Sequence, residues 1–323
     1  DRTLDLATMS TDKRYIWIDG LRTVIRQSRE ILEKERARVH DEKQIFAKKE
    51  QEQYWITSLF DHCRFNRLNE VSTMFQNDCP VDLMEPSTGD TALLIACRRG
   101  WVKIAEECLR YGAKFDPHPS FGQTALQIAV EHGHIPCVRL LLGTAALSGA
   151  DTHIVNLEDS NGETPLHVAA SRDNFGMVEL LVEHGAMLSA VNVKGCTPLH
   201  CACIHGQYHN VVVLLESGAD EQLHLGDVDG NTPLHCSAFK GDMPIVRVLL
   251  ESAAGPREIN RDGHTSSQLA HIQGHVECAL LIQSYEKNVP SSPRDYHYHR
   301  CRSRFNQEKE EEEEEKEEEG KWK

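Results

Sequence analysis

GCTPLHCACIHG, residues 195–206, is the stretch on which the fold turns. Five similar stretches accompany it: GDTALLIACRRG from Gly89, GQTALQIAVEHG from Gly122, GETPLHVAASRD from Gly162, GNTPLHCSAFKG from Gly230 and GHTSSQLAHIQG from Gly263. Their threonines, Thr91, Thr124, Thr164, Thr197, Thr232 and Thr265, stand 33, 40, 33, 35 and 33 residues apart. Self-similarity at such a period marks a stack of one repeated unit, because a single unit cannot bury its apolar face alone. Each position has a physical reason. The Gly two residues before each Thr suits a tight turn with positive φ. The Thr suits a helix cap, and Pro165, Pro198 and Pro233 follow where a missing N–H costs nothing. Leu93, Leu126, Leu166, Leu199 and Leu234 point into the stack. Ala96, Ala129, Ala169, Ala202 and Ala270 let helices approach, with Ser237 standing in once. Gly100, Gly133, Gly206, Gly241 and Gly274 end the first helix in the left-handed region. Asp173 takes that place in one repeat and is expected to weaken it.

A second helix follows in each unit, with VRLLL at Val138, VELLV at Val178, VVVLL at Val211 and VRVLL at Val246. The period and the T-P-L-H-x-A wording resemble the ankyrin repeat over about 200 residues. The resemblance implies an all-α solenoid of about seven helix-turn-helix repeats with β-hairpin loops, spanning residues 55–287. SLFDHCRFNRLNEVSTMFQNDCPVDL from Ser58 reads as a degenerate first repeat, Ser58 lying 33 residues before Thr91. Its Arg64, Asn66 and Arg67 suit a solvent-facing N-terminal cap, and Ser266, Ser267 and Gln268 a C-terminal one. The 40-residue interval carries seven extra residues around 143–161, read as an extra helical turn and a longer hairpin containing Asp159, Ser160 and Asn161. As a tolerated surface insertion it needs no role; as a protruding loop it would be a contact.

The flanks differ. RTLDLAT, residues 2–8, alternates like a strand, and residues 13–29 read as an amphipathic helix with Ile16, Trp17, Leu21, Val24 and Ile25. Trp17, Gly20, Leu21 and Arg22 resemble the C-terminal edge of a pleckstrin-homology domain of the phospholipase C type. That resemblance makes residues 1–26 a remnant whose barrel, with its phosphoinositide-binding loops, lies upstream; the alternative is a plain helix packing on the first repeat. The remnant helix is expected to expose Trp17 and Leu21. Residues 27–54 read as a charged spacer helix: Ile25, Leu32, Val39 and Phe46 make one apolar column where a coiled coil needs two. A dimerising coil is the other reading. Residues 288–323 read as a disordered tail. Its short basic stretch at 294–304 precedes ten Glu and two Lys in residues 308–319.

The chain has 323 residues, 40% of them apolar, and a formal charge of −15. The Glu run supplies −8 of this, so the remainder is only mildly acidic. That balance argues against nucleic acid as the main partner. Its 11 cysteines follow no disulfide spacing, which fits a reducing, cytoplasmic or nuclear setting. There is no initiator Met, no signal-peptide pattern and no apolar run long enough for a transmembrane helix. The start in mid-pattern at Asp1 suggests a piece of a longer chain.

Chemistry is sparse. Cys196, His200, Cys201, Cys203 and His205 crowd ten residues, but the repeat register accounts for most of them, and the paired spacing of a zinc site is missing. Asp227, Asp229 and Gly230 lack the later Glu of a calcium loop and read as hairpin residues. No catalytic, cofactor or metal residue is assigned, and the chain is not read as an enzyme. The expected function is a protein-binding scaffold or adaptor, with the partner on the concave face. The variable pair before each helix end is the candidate contact: Arg98/Arg99, Glu131/His132, Ser171/Arg172, Ile204/His205, Phe239/Lys240 and Ile272/Gln273. The row is basic or neutral apart from Glu131, which suits an acidic or amphipathic protein segment. The alternatives are a phosphoinositide-recruited signalling protein, with lipid bound only through the missing upstream domain, and a regulatory arm of a larger enzyme.

Overall fold

The computed structural model describes residues 11–148, 154–174 and 176–288. The chain divides into two units between Asp61 and His62. Helix α1, Thr11–Arg64, makes up the described part of the first unit and continues to Arg64 without a break. The strand read at residues 2–8, residues 149–153 of the insertion and the tail from residue 289 lie outside the described residues. Trp17 and Leu21 are exposed, as expected.

The second unit is a row of helix pairs: α2 (Leu68–Gln76), α3 (Ala92–Arg99), α4 (Val102–Arg110), α5 (Ala125–Glu131), α6 (Ile135–Ser148), α7 (Pro165–Ser171), α8 (Met177–Glu183), α9 (Pro198–His205), α10 (Tyr208–Glu216), α11 (Pro233–Lys240), α12 (Met243–Glu251), α13 (Ser266–Ile272) and α14 (Val276–Asn288). The first helices α3, α5, α7, α9, α11 and α13 each pack on the next. The second helices form a parallel row, thinner between α6 and α8. The longer α6 holds the extra turn expected of the 40-residue interval. Beyond isolated bridges at Met84–Thr91 and Ile259–Thr265, no β-pairing occurs among the described residues.

The motif residues do what their types dictate. Each Thr from Thr91 to Thr265 is extended at the N-cap, and Thr91, Thr124, Thr197 and Thr265 accept from the amide three residues on. The motif leucines and alanines are buried, and the Ser237 hydroxyl is satisfied by the Leu234 carbonyl at 3.1 Å. Glycines 100, 133, 206, 241 and 274 all have positive φ. The repeat with Asp173 solves its helix end differently. Buried Asn210 reaches back from α10 and donates to the carbonyls of Ala169, Ala170 and Arg172 at 3.2, 3.2 and 2.8 Å.

The first repeat departs from expectation. Helix α1 runs through Ser58, so Ser58 caps nothing. Thr57 bonds back to the Gln53 and Tyr54 carbonyls inside the helix. Asn66, with φ 55°, takes the left-handed turn. Arg64 does not simply face solvent; it holds Glu85 of the next hairpin at 2.6 Å.

The hairpins are stitched to one another. Ser160, Val193, Val228 and Arg261 donate their amides to the carbonyls of Phe121, Asn161, Lys194 and Asp229 in the preceding hairpin, at 3.2, 2.9, 2.9 and 2.9 Å. This explains the hairpin glycine beyond its φ. A Cβ on Gly195 would lie 3.0 Å from the Val228 amide nitrogen, whereas one on Gly263 would meet nothing within 4 Å.

Two substitutions separate these effects. Gly195→Ala and Gly263→Ala both force a left-handed Ala, about 1–2 kcal/mol. Only Gly195→Ala also pushes on the next hairpin, so it should destabilise by about 1–3 kcal/mol more in denaturant titration. Equal losses would mean that close approach is not what the position requires. Leu199→Ala should destabilise by about 2–5 kcal/mol, the range for a buried Leu.

Candidate functional site

The site begins with what the stack consumes. Three residues after Thr124, Thr164, Thr197 and Thr232 comes a buried His or Gln that faces two ways. The Thr197 amide donates to His200 Nδ1 at 3.2 Å, and His200 Nε2 meets the Asn231 carbonyl of the next hairpin at 3.0 Å. His167 joins Thr164 to Cys196 at 3.1 and 3.0 Å, and His235 joins Thr232 to His264 at 3.2 and 3.2 Å. Gln127 does the same with Oε1 on the Thr124 amide and Nε2 on the Glu163 carbonyl, at 2.8 and 2.5 Å. Because the amide can only donate, Nδ1 is bare and Nε2 carries the proton. These are neutral imidazoles. Burial holds the pKa of His167, His200 and His235 below 6.5, against the opposing pull of the carbonyls they contact.

The cysteine–histidine cluster is thereby accounted for. Both nitrogens of His200 are occupied, and His205 Nδ1 sits on the Cys201 carbonyl at 2.9 Å. Cys196, Cys201 and Cys203 are buried free thiols. Burial pushes Cys196 to about 11 and Cys201 to about 12, so neither presents a thiolate near neutrality. Asp227 accepts the amides of Asp229 and Asn231 at 2.9 and 2.8 Å, which makes it a hairpin brace. Among the described residues no group of three or more His, Cys, Asp or Glu converges on a metal position.

The variable pairs remain, and the structure sorts them into two kinds. At the N-terminal end they are engaged within the chain. Arg98 clamps buried Asp90 with two bonds, at 2.5 and 3.0 Å. Arg172 reaches Glu131 at 2.8 Å, and Glu131 also accepts from Gln123 at 3.2 Å. His132 Nδ1 and Ser171 Oγ bond to the Ile128 and Val168 carbonyls, at 2.9 and 2.8 Å. The row is therefore less basic than its composition suggests: two of its cations already hold carboxylates. Arg99 is exposed.

At the C-terminal end the equivalent positions are apolar and open. Ile204 is 42% exposed, Phe239 53% and Ile272 59%. Ile204 and Phe239 flank a groove of about 470 Å³ floored by Cys236 and Leu269, with Asp227, Asn231, His235 and Lys240 as its polar lining. His205, Lys240 and Gln273 are exposed alongside. Sequence reading named Ile204, Phe239 and Lys240 but missed Asp90, which neutralises Arg98, and Leu269, which completes the floor. Both hold fixed register positions, one before and four after the capping Thr.

Comparison with known proteins agrees with this architecture. Family models of ankyrin repeats match residues 59–154 and 144–224 in one form and residues 199–250 in another. The chain belongs to the ankyrin-repeat family. It is 29% identical over 145 residues to the E3 ubiquitin-protein ligase XBAT32 of Arabidopsis thaliana, covering 38% of this chain and 28% of that protein. It is 34% identical over 108 residues to the human ankyrin repeat and SOCS box protein 16, covering 33% and 22%. Human B-cell lymphoma 3 protein is 41% identical over 73 residues, covering 23% and 15%. The matches thus span about a quarter or less of these relatives' own length. The family implies protein–protein interaction. No helix among the described residues is long and apolar enough to cross a membrane.

The neutral imidazoles make stability pH-dependent with a definite sign. With pKa values depressed in the fold, the unfolded chain binds more protons below 6.5. Stability should fall as pH drops below that value, by up to about 1.4 kcal/mol per pH unit for each histidine until its own folded pKa is reached. His224 acts oppositely: its hydrogen bond to Glu258 raises its pKa, and that contribution fades as pH rises through the raised value. His200→Gln should keep neutral-pH stability within about 1 kcal/mol, as Gln127 fills the same role, while reducing the acid slope. His200→Ala should lose about 1–3 kcal/mol by orphaning the Thr197 amide and Asn231 carbonyl. Urea titrations at several pH values check all three; an unchanged slope in His200→Gln would remove the histidine from the account.

Proposed function

We propose that this ankyrin-repeat chain is a scaffold or adaptor that holds an amphipathic segment of a protein partner on the C-terminal half of its concave face. One observation carries the reading: the same register position is apolar and open in three successive repeats, Ile204, Phe239 and Ile272, with a groove between the first two. In the three preceding repeats that position is Arg98, Glu131 and Ser171, each already bonded within the chain. A stacked backbone presents such side chains pre-ordered, so little conformational freedom is lost on its side when a partner docks. Phe239 is the central anchor, and Lys240 beside it favours an acidic residue next to the partner's apolar ones. The domain reading rests on the same ground: repeats from about residue 55 to 287, a charged helical spacer before them and an acidic tail after.

A second reading makes the repeats the recognition arm of a larger protein. It is favoured by the small share of each relative that the match covers, three of the curated relatives having E3 ubiquitin-protein ligase in their names. A third, recruitment through a pleckstrin-homology barrel upstream, rests only on Trp17, Gly20, Leu21 and Arg22; the family matches begin at residue 59.

The test is paired affinity capture by the whole chain and its Ile204→Ser/Phe239→Ser variant, followed by titration of any partner that distinguishes them. A central anchor removed should weaken binding by at least about tenfold, roughly 1.4 kcal/mol or more, with thermal stability kept. Arg172→Ala, which breaks an internal pair, should leave affinity within about twofold. Partners held equally by wild type and the double variant would move the contact to the hairpin tips or the insertion near residues 143–161.

A further inference from the structure

The N-terminal half of α1 carries a feature that the repeats do not use. Trp17, Ile18, Leu21, Val24, Ile25, Ile31 and Leu32 are all exposed, between 42% and 59%. At about 100° per residue they fall in one arc of roughly 140°, interrupted only by Ser28. Along the axis the band runs about 23 Å from Trp17 to Leu32. It ends sharply: Glu35 lies on the line of Trp17, about five turns on, and Glu42 on the line of Val24.

Charge is segregated around this band. Arg22 and Arg29 occupy the edge beside Ile18 and Ile25; Gly20 and Gln27 form the opposite edge, with Lys34 about 60° beyond Ile31. Asp19 and Glu30 lie on the far side of the helix with Arg26, and Glu33 stands about 60° beyond Ile18, beside the line of Arg22. All are exposed. Cations along one margin of an apolar arc, with Asp19 and Glu30 facing away, is an arrangement that complements an anionic lipid surface: the arc enters the acyl boundary, Arg22 and Arg29 meet headgroups and the two acids stay in water.

A second copy of the chain suits the helix less well. Pairing along the continuous column of Ile18, Ile25, Leu32, Val39 and Phe46 would bring the adjacent basic column, Arg22, Arg29, Arg36 and Lys43, to the seam, and Glu35 and Glu42 into it. A lipid surface needs only the segment before Glu35.

We propose that residues 17–32 of α1 form an interfacial helix that lies on anionic membrane surfaces, attaching the chain to the bilayer without crossing it. This rests on the helix alone and does not depend on the concave-face reading.

The experiment is co-sedimentation of the whole chain with phosphatidylcholine vesicles, with and without about 30% phosphatidylserine. The expected result is partitioning onto the anionic vesicles alone, falling as salt rises. Leu21→Gln/Ile25→Gln and, separately, Arg22→Glu/Arg29→Glu should each lower the partition coefficient at least tenfold, on the order expected for lost apolar burial or reversed marginal charge. Asp19→Asn/Glu30→Gln, on the far side, should not lower it. Circular dichroism guards against trivial loss of helix, and Arg→Glu exchanges one good helix former for another. Equal binding to neutral vesicles, no binding to either, or insensitivity to both paired variants would overturn the proposal. A concentration-dependent dimer in light scattering, abolished by Leu21→Gln/Ile25→Gln in a chain that ignores vesicles, would assign the face to a second copy instead.

Discussion

A buried side chain three residues past the capping threonine of four successive repeats fixes the geometry on which the other contacts depend. His167, His200, His235 and Gln127 each satisfy a helix-start amide in their own repeat and a hairpin carbonyl in the next. The acceptor is always the residue just before the next capping Thr, so the step between repeats has one allowed value. Neighbouring hairpins then lie close enough for amide-to-carbonyl bonds and for the glycine Cβ position to fall about 3 Å from backbone. The bond works only for a neutral ring or an amide. A protonated imidazole would aim a second donor at the Thr amide, and burial already disfavours its charge.

The sequence carried much of this, and the reason is local. Caps and left-handed glycines are decided within about a dozen residues, and repetition presents the same decision several times. The longer α6 followed from counting. What escaped reading depends on neighbours one period away. Asn210 finishes helix α7 across 38–41 residues, so the missing glycine at Asp173 is compensated from the next repeat. Arg172 finds Glu131 across 41 residues, and Arg98 finds Asp90 across the turn of its own repeat. Composition alone shows four charged residues; only the stack shows that both cations are spent. Ser58 keeps the period with Thr91 but starts no helix, because the helix that holds it arrives from residue 11.

The candidate site is what remains once the stack has taken its share. In each repeat the residues that cap, turn, brace and pack are fixed by the backbone step, which leaves the positions seven and eight after the Thr free to vary. Toward the N-terminal end they are polar and closed by internal pairs, which makes that stretch compatible with water and poor at recruiting anything. Toward the C-terminal end they are apolar. Ile204, Phe239 and Ile272 are spaced one repeat apart, with His205 and Lys240 interleaved, so the open apolar surface is a row of separate anchors. Such an arrangement resists indiscriminate self-association, since a contiguous patch of that chemistry would be an aggregation liability. It rewards a partner whose own apolar residues recur at the repeat spacing. On the proposed reading, specificity on this face would come from periodicity matching, set by the same buried bond that fixes the step.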